Sequence, residues 1–253
     1  MIGFFRKIRQ NLLMENKTGK YFKYAIGEII LVVIGILIAL QINTWNENRK
    51  DRNTESEYYC KLLSDFELDR ENIEKIFEES ENKIKTSKRL LLELNNRDKT
   101  KSYLLNNYLK ALRTKAFVPS KVTITDMTSS GKLYLLTKES LKNSLIQYYV
   151  ELDKLLYQLE INRSKSLDRV FTYDDALLFG FQYYDYVNQS LGKEILETLP
   201  VYDWHLDSQS KYYKQFQNDL VFFVTMSERE KQHFNNILKE METPYSQLKK
   251  ECE

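Results

Sequence analysis

Residues 24–42 read YAIGEIILVVIGILIALQI, nineteen positions with a single ionisable group, Glu28. As a helix this stretch spans about 28 Å, close to the hydrocarbon thickness of a bilayer. A helix in the core of a water-soluble protein keeps a polar stripe on one side. Here the apolar residues fall on every side, so the stretch predicts a transmembrane helix. A cleaved signal peptide needs small residues at its cleavage point, and Leu40–Trp45 offers no such pattern. Tyr24 and Trp45 bracket the span where interfacial aromatic rings are expected.

Working outward from the span, the N-terminal side carries Arg6, Lys7, Arg9, Lys17, Lys20 and Lys23, opposed only by Glu15. The C-terminal flank mixes Arg49, Lys50, Arg52 and Lys61 with acidic residues. Basic flanks are retained on the cytoplasmic side. The expected layout is therefore a cytoplasmic amphipathic basic segment (1–23), a single transmembrane helix (24–42) and an extracytoplasmic helical domain (43–253). That domain would be periplasmic in a protein of the cell inner membrane. Ile2, Phe5, Ile8 and Leu12 recur at helical spacing among basic residues, which predicts a short helix lying on an anionic leaflet.

Four residues of the span are candidates for helix–helix packing: Gly27, Glu28, Gly35 and Ala39. Gly35 and Ala39 make a small-xxx-small pair that lets two backbones approach closely, which points to a homo-oligomer through the anchor. A carboxylate in lipid is costly. Glu28 either reaches the headgroups and pairs with Lys20 or Lys23, or contributes a hydrogen bond within such an oligomer.

Beyond the span, the chain is poor in turn formers. It has seven glycines and three prolines in 253 residues, and neither type occurs from Ile36 to Val118. Hairpins and phosphate-cradling loops depend on those residues, so all-β and nucleotide-binding α/β folds are disfavoured. The predicted fold class is all-α: the transmembrane helix followed by an antiparallel helical bundle of long helices, with coiled-coil character. After residue 42 the chain carries 32 basic and 34 acidic residues. This leaves no basic face for nucleic acid.

Tyr59, Leu62, Phe66, Ile73, Ile76, Ile84, Leu91 and Leu94 recur mostly in steps of three or four, or in multiples or sums of those steps. They predict an amphipathic helix from about Thr54 to Leu94 that is free to continue the anchor, stopped by Asn95-Asn96-Arg97-Asp98. A helix over Tyr103–Phe117 follows. Another is expected between Pro119, as a first helical residue, and Gly131, as a left-handed cap. Leu141, Leu145, Tyr148, Leu152, Leu155 and Leu159 predict a helix over Lys138–Arg169. Helix is also expected over Asp174–Asn188, and an irregular connection with Pro200 over residues 192–207. Ser227 and Glu230 have capping-box form and predict the start of the last helix.

Candidate sites are few. Ser129-Ser130-Gly131-Lys132 lacks the leading glycine and the following Ser or Thr of a phosphate loop, since Asp126 and Leu133 stand there. Asp203, His205 and Asp207 alternate as metal ligands sometimes do, but no further cluster supports them. No catalytic residue, metal ligand or cofactor site is assigned, and an enzyme is not expected. Phe171, Tyr173, Phe179, Phe181, Tyr183, Tyr184 and Tyr186 put seven aromatic rings in sixteen residues. They form either an aromatic platform for a ligand or a bundle core with hydroxyls at its edge. Cys60 and Cys252 are expected as free thiols, although an oxidising compartment permits a disulfide.

The run ENKTGKYFKYAIGEIILVVIGILIALQINTWNENRK (Glu15–Lys50) resembles a family of uncharacterised single-span membrane proteins of Bacteroidota-type bacteria, a domain of unknown function. TSSGKLYLLTKESLKNSLIQYY (Thr128–Tyr149) is similar to a second block of that family. The resemblance implies an inner-membrane anchor with an extracytoplasmic helical domain and brings no activity, ligand or site residue. The function expected is non-enzymatic: an interaction or scaffold protein with the lipid membrane, itself and an unknown protein as partners. The alternative is a sensor-like ligand-binding domain acting through a partner.

Overall fold

The computed structural model describes residues 18–113, 115–171 and 173–252, and among these it is all-helical, with no strand. Seven α-helices follow in order: α1 (Thr18–Asn96), α2 (Lys101–Leu112), α3 (Val122–Ser129), α4 (Glu139–Phe171), α5 (Ala176–Phe179), α6 (Asp185–Leu196) and α7 (Lys211–Cys252). The surface helix expected over residues 2–13 lies outside the described residues. Two compact units are distinguished, Met1–Glu57 and Tyr58–Glu253. Described residues 24–42 of the first unit contain no buried side chain. Its apolar helix is long enough to cross a membrane.

In the second unit the buried face of α1 is a near-continuous repeat. Tyr59, Leu62, Phe66, Asp69, Ile73, Ile76, Ser80, Lys83, Ser87, Leu90 and Leu94 are all buried, and the steps between them alternate three and four. The buried residues of α7 do the same from Tyr213 through Phe216, Leu220, Phe223, Ser227, Glu230, Phe234, Ile237, Met241, Pro244 and Leu248. That alternation keeps one seam of a helix facing its neighbours over many turns. Each fully buried Leu or Phe in the seam contributes about 1.5–3 kcal/mol.

The seam has two apolar ends and a polar middle. One cluster joins Leu62, Phe66 and Ile73 of α1 to Tyr148 and Leu152 of α4 and to Ile237 and Met241 of α7. The other joins Leu90 and Leu94 to Tyr108 of α2, Phe179, Trp204, and Phe216 and Leu220 of α7. Between them, on all three long helices, lie Ser80, Lys83 and Ser87, then Asn162, then Ser227 and Glu230, each buried. Among the described residues the Ser87 and Ser227 hydroxyls and the Asn162 amide nitrogen have no hydrogen-bond partner. Lys83 Nζ stands 4.0 Å from Glu230 Oε2.

Contacts fix how the long helices pass one another. Lys138 pairs with Glu251, Ser144 Oγ donates to Gln247 at 3.1 Å, Arg229 donates to Gln158 at 3.1 Å, and Arg169 lies 4.6 Å over the Phe222 ring. Partner numbers on α7 fall as those on α4 rise. They fall along α1 as well, from the Cys60–Cys252 disulfide through Arg70–Tyr245 and Phe77–Phe234 to Lys83–Glu230.

Helix ends follow local chemistry. Arg97 takes a left-handed φ of 58° and ends α1. Thr100 caps α2 by accepting from the Tyr103 amide at 3.2 Å. The start of α3 is capped from outside by α1: Asp65 accepts from the Thr123 amide at 3.1 Å and Asp69 from the Ser120 amide at 2.7 Å. Gly131, with φ 70°, ends the turn after α3.

Five expectations are corrected. The last helix begins at Lys211, not at Ser227, because Ser227 and Glu230 share the buried seam instead of capping a free end. Residues 174–188 are not one helix. Gly180, at φ 113°, breaks them into α5, a 3-10 turn over Phe181–Tyr183 and α6, and an added Cβ there would meet Leu105 at 3.0 Å. The second helix ends at Leu112, short of Phe117, whose ring turns instead into the first cluster. Pro119 precedes α3 by three residues, and the two Asp side chains hold the intervening turn. Cys60 and Cys252 are joined, not free, because α7 returns its last turn to the start of the second unit with 5.1 Å between their Cα atoms.

Candidate ligand groove

The seven predicted aromatic residues divide between two roles. Tyr173, Phe179 and Tyr184 are buried, while Phe171 and Tyr186 are 79% and 56% exposed. Phe181 and Tyr183 are half-buried.

The buried members belong to a polar-tipped core. Phe179 stacks on Trp204, with ring centroids 5.4 Å apart and planes 6° apart. Trp204 Nε1 donates to the Phe179 carbonyl at 2.6 Å. The Tyr173 and Tyr108 hydroxyls both donate to Asp219 Oδ2, at 2.6 and 3.0 Å. Burial pushes the Asp219 carboxyl above its ordinary range, and the two tyrosine hydrogen bonds pull it back. Burial likewise raises the Tyr173 and Tyr108 hydroxyls, which remain proton donors. Beside this core, Lys101 donates to the Tyr202 carbonyl at 2.7 Å and lies 4.3 Å over the Tyr183 ring. Burial lowers its affinity for its proton, against the pull of Asp203.

Phe171, Phe181 and Tyr186, together with the Tyr184 ring of that core, line an open groove of about 350 Å³. One wall is the Phe171–Tyr186 side, with Phe181, Tyr184 and Tyr186. The Tyr184 and Tyr186 rings are nearly parallel, 9° apart with centroids at 6.0 Å. The other wall comes from Leu109 and Leu112 of α2 and from Leu167 and Val170 of α4. Two guanidinium side chains, Arg113 and Arg163, belong to the lining, and no carboxylate does. The Tyr184 hydroxyl is buried and has no hydrogen-bond partner among the described residues. Such a groove can take a flat or apolar group against its rings and an acidic group against its arginines.

A family model described as a family of unknown function (DUF6090) matches residues 28–179. The chain belongs to that family. The DUF6090 match runs from Glu28 to the buried ring of Phe179. It therefore takes in the α2 and α4 wall of the groove and stops before Phe181, Tyr184 and Tyr186. No curated protein and no solved structure matches the chain.

Other predicted positions stand apart from the groove. Gly35 and Ala39 are exposed, and an added Cβ at Gly27 or Gly35 would meet nothing within 4 Å. Asp203 approaches His205 to 4.0 Å, but no group of three or more possible metal ligands gathers among the described residues. Lys132, after the turn at Gly131, lies 3.3 Å from the Tyr58 hydroxyl. Leu109, Leu112 and Arg113 carried no signal in the sequence, because they reach the groove from a segment about sixty residues before Phe171, and Arg163, on the helix just before the aromatic run, reads only as a charged helical residue.

Proposed function

We propose that this chain is a single-span anchored binding protein of a bacterial inner membrane, and that it acts without catalysis. In this reading the N-terminus is cytoplasmic and residues 24–42 cross the bilayer. The domain from residue 43 is an extracytoplasmic antiparallel helical bundle with coiled-coil character. The aromatic groove with its two arginines carries the reading: it supplies exposed rings and two guanidinium groups in one concave place, as recognition surfaces do. Its partner is a protein segment bearing apolar side chains beside an acidic group. The opposed order of the α1, α4 and α7 contacts supports the bundle. The Cys60–Cys252 disulfide supports an oxidising compartment, where such bonds persist. The apolar span, free of buried side chains, supports the anchor, and the small residues at Gly35 and Ala39 support self-association within it.

The test is site-specific cross-linking in cells. A photoreactive phenylalanine at Phe171 or Tyr186 should give a discrete protein adduct. The same group at Val221, which is 55% exposed but outside the groove, should not. Equal adducts at all three positions would remove the groove from the account.

A further inference from the structure

Beside the groove, and sharing Arg113 with it, α1 and the end of α2 border an open pocket of about 610 Å³. Glu79, Asn82, Lys83 and Thr86 line it from α1. Lys110, Arg113 and Lys115 line it from the last turn of α2 and the chain that follows. Lys83 is buried, while Lys110, Arg113 and Lys115 are exposed.

The charges in this pocket do not cancel. Lys115 pairs with Glu79, and the Lys83 ammonium stands 4.0 Å from Glu230 Oε2. Both carboxylates set against the four cations leave two positive charges in excess. They belong to Lys110 and Arg113, which have no carboxylate partner among the described residues. The C-terminus of α2 opposes them with only about half a charge. A concave surface with that excess draws an anion of matching charge.

The neutral residues narrow the class. The Asn82 amide and the Thr86 hydroxyl add donors one turn apart on α1. The Arg113 guanidinium presents paired N–H groups that match two oxygens of one ion. A tetrahedral oxyanion then keeps further oxygens for the donors of α1, which a single carboxylate does not. Burial also works against the charge of Lys83, and an anion in the pocket would support it.

We propose that this pocket binds a phosphate dianion, free or as a monoester, held by Lys110 and Arg113 from one side and by Asn82, Lys83 and Thr86 from the other. The site does not depend on the protein partner proposed for the groove, although Arg113 borders both.

Inorganic phosphate is the probe, at a pH where it is the dianion. Titrated calorimetrically at physiological ionic strength into the full chain in phosphatidylcholine nanodiscs, with empty nanodiscs as the blank, it should bind saturably at one site. Asn82 is exposed, so Asn82→Asp places a new carboxylate in the pocket without touching the seam. It should weaken binding at least about tenfold, as should Lys110→Gln. Lys250→Gln removes the same charge from an exposed residue at the end of α7 and should leave binding unchanged. None of the three lines the groove, so failure of this site leaves the cross-linking test of the groove standing. Absence of saturable binding overturns the proposal. Equal weakening by Lys250→Gln overturns the location in favour of general surface charge. Equal affinity for malonate, a dianion made of two carboxylates, overturns the phosphate class. Nanodiscs with phosphatidic acid, against phosphatidylglycerol as the charged control, separate the sources. Competition with free phosphate by phosphatidic acid alone assigns the site to a lipid headgroup, and equal behaviour of the two lipids assigns it to a soluble phosphate.

Discussion

Helix α1 contains two stretches that share a backbone conformation and differ in everything else. Residues 24–42 are apolar all round and none is buried, whereas residues 58–94 are polar on most sides and bury one seam. In the first stretch composition alone carries the proposed membrane location, because a uniformly apolar surface suits an apolar solvent. In the second the environment is chosen by pattern, because only residues spaced by three and four can be covered together. Helicity therefore says little about this protein, and the distribution of apolar residues around the helix says most. The polar members of the seam sharpen the point: Asp69, Ser80, Lys83 and Ser87 occupy covered positions that hydrophobicity alone passes over.

The largest effect expected should fall on the patterned region only. Cys60→Ser removes a cross-link between residues 192 apart, and loop-closure entropy puts the loss at about 5 kcal/mol. Chemical denaturation of the full chain in nanodiscs should show the domain melting much earlier, with the helical signal of the span retained. Loss of both together would erase the distinction. The disulfide also shields Cys252, so an impermeant maleimide should label it on intact cells only after reduction.

Next comes Phe179→Ala, which should cost roughly 3–5 kcal/mol because the ring is fully buried against Trp204 and Tyr173. The half-buried Phe181→Ala should cost distinctly less, and the exposed Phe171→Ala about 0.5 kcal/mol or less. Equal losses in urea melts would show that the aromatic run does not divide between core and groove.

A smaller effect should appear with pH. Burial lifts the Asp69 carboxyl from 3.8 to about 6, opposed by the Ser120 amide and the Tyr148 hydroxyl. The folded chain thus holds that proton more tightly than the unfolded chain does. Stability from this group is complete below about pH 4, falls as pH rises to about 6 and is flat beyond. The fall is roughly 3 kcal/mol at most. Asp69→Asn should flatten that part of a stability–pH profile, and an unchanged profile would assign the slope elsewhere.

The smallest effect is expected in the span. Gly35→Leu with Ala39→Leu should weaken self-association of residues 24–42 in a bacterial two-hybrid assay by about 1 kcal/mol, leaving the midpoint of the domain unchanged. An unaltered association would clear that face of any role.

Much of the fold was legible because its causes are local. The apolar run at 24–42, the three-four spacing on α1 and α4, the stop after Asn96 and the left-handed cap at Gly131 are each settled within a few turns of chain. The start of the last helix was misread for a related reason. Ser227 and Glu230 have the same spacing in a capping box as in a buried seam, and only their burial and the neighbour at Lys83 distinguish the two.

The candidate sites were legible only in part. Composition and periodicity by themselves determined an apolar span, an all-helical chain and a conspicuous aromatic run. Which rings in that run are core, that Arg113 and Arg163 face them, that Lys83 and Lys110 line one pocket, and that Cys60 meets Cys252 were decided by tertiary structure alone. Helix formation and solvent preference are summed over neighbouring residues. A groove or a disulfide, by contrast, exists only where distant segments are packed against one another, and no local pattern records that meeting.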